Sequence, residues 1–313
     1  MQYIYKCAAV RGKTIPLNPN AVPFIHFLLR SETMTSAIKN FFHPVQTCLV
    51  LSLIALASCL CSCRSVPVTG RSQFLLTTES YENDLGAESY EEYKKEYPVS
   101  TNAEYNAALE RCGNAIKAVA NDLGETDDFE WEFTVLDSEI QNAFCLPGGK
   151  VAVYSGIMDG MENEAELAFV VGHEIGHAIA RHGGERMSRT IVQSLGAVLV
   201  SVIFENETLD AIYGTGTEIG IMLPYSRSNE SEADMIGLIL MARAGYDPSA
   251  SYTFWKRFTN NAEGSSKLAS ILSTHPCDSD RIKAMEENEP AARAEYNMAP
   301  TKYGFGKTFT HRK

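Results

Sequence analysis

The sequence has no long greasy run. No uninterrupted apolar stretch reaches the ~18 residues of a spanning helix, so the chain does not read as a polytopic membrane protein. It has no basic excess either. The formal net charge is −12, and phosphate binding needs a basic footprint, so nucleic acid is excluded as the main partner. Internal repeats are absent, which argues against a solenoid. A disulfide framework is also missing. Of the 8 cysteines, Cys7, Cys48, Cys59, Cys61 and Cys63 lie in or before one short N-terminal segment. Only Cys112, Cys145 and Cys277 fall in the folded part, and an odd number leaves at least one thiol unpaired. What remains is ordinary: 45% hydrophobic and 21% charged residues over 313 positions. That is the composition of a chain that buries a core in one or two domains.

Charge is unevenly spread. Residues 1–58 hold five basic residues and one acid, which leaves a net charge of −16 on the rest. Met34 opens a stretch with one cation, Lys39, followed by an apolar run from Cys48 to Ala57 and small residues. This is the layout of a signal peptide. Leu56-Ala57-Ser58-Cys59 resembles the bacterial lipoprotein box, in which the cysteine is lipidated and becomes the new N-terminus. The resemblance implies an anchor at Cys59. Leu60, rather than aspartate, implies the outer membrane, facing the periplasm. An uncleaved N-terminal anchor is the other reading. Residues 1–33 fit no targeting pattern and are expected to be an upstream extension, with 34–58 the signal peptide and 59–70 a lipidated linker.

The body is expected to be α+β and mainly helical. Helical spacing of apolar residues marks 79–95 and 102–121. Trp131, Phe133 and Val135 alternate with polar neighbours, the pattern of a half-buried strand. Asn142 to Cys145 and Lys150 to Tyr154 are further extended segments about a Pro147-Gly148-Gly149 turn. Asn163, with Glu166 three residues on, should cap a helix running to the Gly183-Gly184 break. Ile191 to Phe204 reads most simply as a core or capping helix, with a membrane-dipping or cleft-plugging role left open. Helices are also expected at 229–244, ended by Gly245, at Tyr252 to Phe258 and at 278–295.

Chemistry concentrates in two of these helices. His173-Glu174-Ile175-Gly176-His177 places two histidines on one face, about 6 Å apart along the axis, where both can take one zinc ion. Glu174 is beside the first ligand and can reach a water. The apolar flanks, Phe169 to Val171 and Ala178-Ile179, bury the helix, so its polar residues need partners. A catalytic zinc wants a third ligand. Glu230 and Asp234 share a helix face one turn apart, so Glu230 can ligate while Asp234 orients a histidine. Glu232 points elsewhere and is expected in solvent. His182 is expected to serve the dipole at the helix C-terminus.

With these motifs the chain resembles the gluzincin metalloendopeptidases. Within them it is similar to the group of type-I CAAX prenyl endopeptidases, HtpX and OMA-type proteases and the BepA and LoiP envelope proteases. Further blocks carry the resemblance: Val66 to Arg71, Asn142 to Gly149, Leu223 to Arg227, and Ser273-Thr274-His275-Pro276 with Arg281. It implies a zincin-like domain over 71–295, with 296–313 as a tail, closest to the single-domain LoiP-like lipoproteins. It implies one zinc held by His173, His177 and Glu230, with Glu174 as general base. It implies roles for His275 and Arg281 at the developing oxyanion, and a latent state in which His275 is a fourth ligand. A solvated loop histidine and an Arg281 ion pair with Asp278 or Asp280 are the plainer readings.

The expected substrate is an extended polypeptide, paired by strand addition along Asn142, Ala143 and Phe144, unless that segment is an internal strand. Unfolded or misassembled envelope proteins fit such sequence-blind pairing, with outer-membrane assembly machinery as a further partner. A disulfide between Cys145 and Cys277 could close the cleft. Two other functions stay open: an assembly chaperone with latent proteolysis, and a zinc hydrolase of peptidoglycan peptides.

Overall fold

The computed structural model describes residues 63–123, 126–204, 225–262, 269–304 and 309. The expected leader, the lipoprotein box with Cys59, and Leu223-Pro224 lie outside the described residues. The chain begins with a two-stranded ribbon, β1 (Cys63–Ser65) and β2 (Ser72–Phe74), and continues through α1 (Glu79–Glu96) and α2 (Ala103–Asp122). Three strands follow: β3 (Glu132–Leu136), β4 (Ala143–Leu146) and β5 (Lys150–Tyr154). A short α3 (Ser155–Met158) leads to α4 (Glu164–Ile179) and α5 (His182–Phe204). The last helices are α6 (Arg227–Arg243), α7 (Ser249–Ala262), α8 (Ala269–Thr274) and α9 (Ser279–Met298). The α+β, mainly helical architecture is the expected one.

The strands join in the order β3-β5-β4. β3 runs parallel to β5, with Glu132 opposite Lys150 and Leu136 opposite Tyr154. β4 runs antiparallel to β5, with Ala143 opposite Val153 and Leu146 opposite Lys150. Among the described residues β4 is therefore an edge strand. Trp131 sits just before β3 and stacks on Phe133 at 6.0 Å between ring centroids, so the strand starts one residue later than the alternation suggests.

Helix α4 forms the axis of the core. Asn163 accepts hydrogen bonds from the backbone N–H groups of Ala165 and Glu166, two of the orphan donors of a helix start. Glu166 turns back to the N–H of Glu162 and also binds Arg257. Every residue of α4 is buried. Leu167, Phe169, Val171 and Ile175 are wholly enclosed, and each such side chain contributes roughly 1.5–3 kcal/mol of burial. Helix α6 crosses this axis. Ser226 caps it by accepting from the N–H of Asn229.

The α4 helix ends earlier than expected. Arg181 adopts φ +50°, a left-handed conformation that costs a non-glycine residue about 1–2 kcal/mol. Its guanidinium compensates by binding both oxygens of Glu82 and the carbonyl of Thr77. Gly183 and Gly184 do not break a helix; they open α5. A Cβ at Gly184 would press on the Glu82 carboxylate that Arg181 holds. The kink turns the chain at His182 back toward His177.

Candidate metal centre

Four side chains converge below the crossing of α4 and α6. His173 and His177 come from one turn of α4, Glu230 from the first turn of α6, and His275 from the loop after α8. One ligand atom of each lies within 4.8 Å of all the others, and all four residues are buried. The pairwise distances are informative. Nε2 of His173 is 3.1 Å from Nε2 of His177 and 3.3 Å from Nδ1 of His275. Glu230 lies 3.6 Å from His173, 3.4 Å from His177 and 3.3 Å from His275. Zinc–ligand bonds of 2.0–2.1 Å in a tetrahedron give ligand–ligand edges of about 3.3 Å. The five distances above, 3.1–3.6 Å, bracket that value.

The donor set fits a cation for a second reason. Both carboxylate oxygens of Glu230 are buried, and Arg281 reaches one of them at 2.8 Å while the other turns to the imidazoles of His177 and His275, an acid placed to share its charge with a cation among those rings. Burial opposes charge on His173, but Asp234 and Glu230 outweigh it and hold its pKa up to about 10. The negative potential that would do this to an imidazole is also one that attracts a metal ion. Burial pulls the pKa of His177 well below its ordinary value, which favours the neutral ring a metal requires.

Around this group the expected residues take distinct places. Asp234 Oδ1 lies 3.0 Å from Nδ1 of His173. Glu174 is 3.5 Å from Nε2 of His275 and accepts from the backbone N–H of Cys145 on β4. Burial raises its pKa above the ordinary carboxylate value, against the pull of His275 and His173. Arg281 pairs with neither Asp278 nor Asp280. It forks onto both oxygens of Asp234 at 2.7 and 2.8 Å, reaches Glu230 at 2.8 Å and donates to the carbonyl of Pro276. Its donors are engaged by Asp234, Glu230 and the carbonyl of Pro276.

The edge strand meets the site through Cys145, one residue beyond the expected triplet. Phe144 packs away from it on Tyr93, at 4.6 Å between centroids. The carbonyl of Asn142 accepts from Tyr154, and its side chain accepts from the N–H of Ala143. Cys145 and Cys277 are free thiols, and the disulfide that could have joined them is not formed.

Residues 104–289 match Peptidase family M48. The chain belongs to that family. It is 33% identical over 229 residues to the mitochondrial metalloendopeptidase OMA1 of Schizosaccharomyces pombe, which covers 73% of this chain and 67% of the relative. It is 32% identical over 240 residues to human mitochondrial metalloendopeptidase OMA1, covering 72% of this chain and 46% of that one. It is 34% identical over 161 residues to the beta-barrel assembly-enhancing protease of Escherichia coli, covering 49% and 33%. The chain thus spans less than half of the last two relatives.

This M48 member surrounds its centre with residues that the motif alone does not reveal. His182, expected at a helix C-terminus, is buried at the start of α5 with Nδ1 2.8 Å from Nδ1 of His177. Glu232, expected in solvent, is buried and bound by His182, Thr69 and Arg71. Burial pushes its carboxyl up, but those three hydrogen bonds outweigh it and hold the pKa down to about 2. Tyr225 stacks on His177 at 4.0 Å, with Arg186 over its ring. The sequence carried one signal for His182, a third histidine soon after the pair. It carried none for Glu232 beyond its place between two functional acids.

Proposed function

We propose that this M48 chain is a zinc-dependent endopeptidase of the bacterial cell envelope that hydrolyses unfolded or misassembled proteins. The single observation that carries the zinc reading is the set of near-tetrahedral edges among His173, His177, Glu230 and His275. His173, His177 and Glu230 hold the ion, and Asp234 fixes the ring of His173. When bound, zinc supplies Lewis acidity to a water molecule and to the scissile carbonyl.

The chain's own groups do the rest. Glu174 takes the proton of the attacking water and hands it to the leaving amine. Its raised pKa suits a base that must also release the proton. Substrate pairs in extended form beside β4, whose Cys145 N–H already borders Glu174. Arg281 balances the charge of Glu230 and Asp234. His275 completes a four-donor set, the closed arrangement of a site without room for water. We therefore read it as a latch that must withdraw before turnover.

The envelope assignment rests on the leader and on the Cys59 lipoprotein box, with the lipid anchored in the outer membrane. Cys59→Ala should abolish labelling by a fatty-acid probe, and persistent labelling would refute the anchor. For the activity, zinc content and casein cleavage should be measured together in the unsubstituted protein and Glu174→Gln. One zinc in both, with cleavage only in the first, is the expected result. Zinc in both and cleavage in neither would favour a zinc-stabilised assembly chaperone.

A further inference from the structure

We propose that His182, Glu232 and Arg71 position the ring of His177 for its metal, making the turn Val66–Arg71 a working part of the metal centre. The inference rests on the zinc reading above and names residues outside its ligand set.

The argument follows the protons. Nδ1 of His177 faces Nδ1 of His182 at 2.8 Å. Two imidazole nitrogens form a hydrogen bond only when one carries a proton and the other a lone pair. His177 directs Nε2 at His173 and Glu230. A neutral His177 that offers Nε2 as a ligand carries its proton on Nδ1, so it is the donor. His182 then accepts at Nδ1 and carries its own proton on Nε2. That atom lies 2.9 Å from Oε2 of Glu232 and donates to it. Glu232 also accepts from Nε of Arg71 at 2.7 Å and from the hydroxyl of Thr69. The other Arg71 donors reach Glu185 at 3.2 and 2.9 Å, and Asn229 donates to Glu185 at 3.1 Å.

With His182 neutral, one proton arrangement satisfies this whole chain. Reversing it would put a proton on Nε2 of His177 and aim a lone pair of His182 at a carboxylate. Water cannot repair such a mismatch, because His182 is 1% exposed, Glu185 5% and Glu232 7%. The network therefore selects the metal-binding tautomer of His177 before any ion arrives. A carboxylate acting through an imidazole also raises the basicity of the ligand. His173 receives this help directly from Asp234. On α6, Glu232 lies two residues before Asp234 and therefore on another face. It meets His182, which the Arg181 kink has turned inward.

Arg71 is the remote end. It lies three hydrogen bonds from His177. It is held in a turn where the N–H of Val66 bonds the carbonyl of Arg71 at 2.7 Å and Val68 takes φ +70°. A shift of this turn removes a cation and a hydroxyl from Glu232, and the loss passes inward along one line.

The test uses the full chain with zinc or cobalt ions alone. Affinity is read by competition with a chromogenic chelator, ligand geometry by the visible spectrum of the cobalt form, and folding by circular dichroism. His182→Ala should weaken zinc binding by about 10–100-fold. His182→Gln, whose amide can accept from His177 and donate to Glu232, should recover most of that loss. Arg71→Met should weaken binding by about threefold or more and move the cobalt bands. The double variant should lose less than the product of the two single losses. Native-like folding with unchanged zinc affinity and cobalt bands in Arg71→Met and His182→Gln alike, beside a His182→Ala that also binds normally, overturns the inference and leaves the zinc reading intact. If His182→Ala does not fold, Arg71→Met alone decides. Failure of the unsubstituted protein to bind one zinc removes both readings.

Discussion

Gly237 lies so close to His173 that a Cβ on it would meet the backbone nitrogen of His173 at 2.7 Å. The two helices that carry the ligands therefore touch backbone to backbone, about two turns beyond Glu230. This contact sets how far the carboxylate of α6 stands from the imidazoles of α4. Any residue larger than glycine must push the helices apart, because the obstructing atoms are main chain and cannot rotate away.

Gly237→Ala should accordingly cost about 1–3 kcal/mol from overpacking, a fall of several degrees in melting temperature, together with weaker zinc binding. Gly183→Ala is the contrast. A Cβ there meets nothing within 4 Å, and alanine is the better helix former, so its melting temperature should hold or rise. Equal effects of the two substitutions would show that helix propensity, not helix approach, governs this site.

Glu174→Gln should retain zinc and fold normally, because the carboxylate is outside the four-donor group. Casein cleavage should fall by about 10²–10⁴, the range for a lost general acid–base. Retained cleavage, with zinc loading verified, would assign the proton transfers to another group.

His275→Ala should keep zinc through His173, His177 and Glu230 while opening a coordination position. Turnover should rise, and the cobalt spectrum should show the changed ligand set. A fall in turnover with zinc retained would instead make His275 a stabiliser of developing charge.

Much of this was legible in the sequence because it is periodic or local. The spacing of His173 and His177, and of Glu230 and Asp234, follows from the helical repeat, and Asn163 announces its helix by its own side chain. What escaped depended on tertiary geometry. His182 reaches His177 only because Arg181 takes a left-handed conformation that its bonds to Glu82 sustain, and no helical periodicity foretells that in a non-glycine residue. Glu232 looked solvated because its partners, Thr69 and Arg71, are more than 150 positions away. The buried partners of Arg281 escaped for the same reason, since Glu230 and Asp234 are acids on another helix.

The same buried acid gives a prediction on pH. The pKa of Glu232 falls from an ordinary 4.5 to about 2 on folding. Between those values the unfolded chain holds more protons than the folded one, so stability rises with pH across that window. The contribution of Glu232 is complete above about pH 5 and drains away as pH falls toward 2. Glu232→Gln has no such proton to gain. With chelator present to keep the metal out of the comparison, the gap in melting temperature between the unsubstituted protein and Glu232→Gln should be widest above pH 5 and should narrow by pH 3. Taking the difference removes the titrating groups that do not touch Glu232, which both proteins share. A gap that stays constant from pH 6 to pH 3 would mean that the charge of Glu232 is not what His182, Thr69 and Arg71 hold in place.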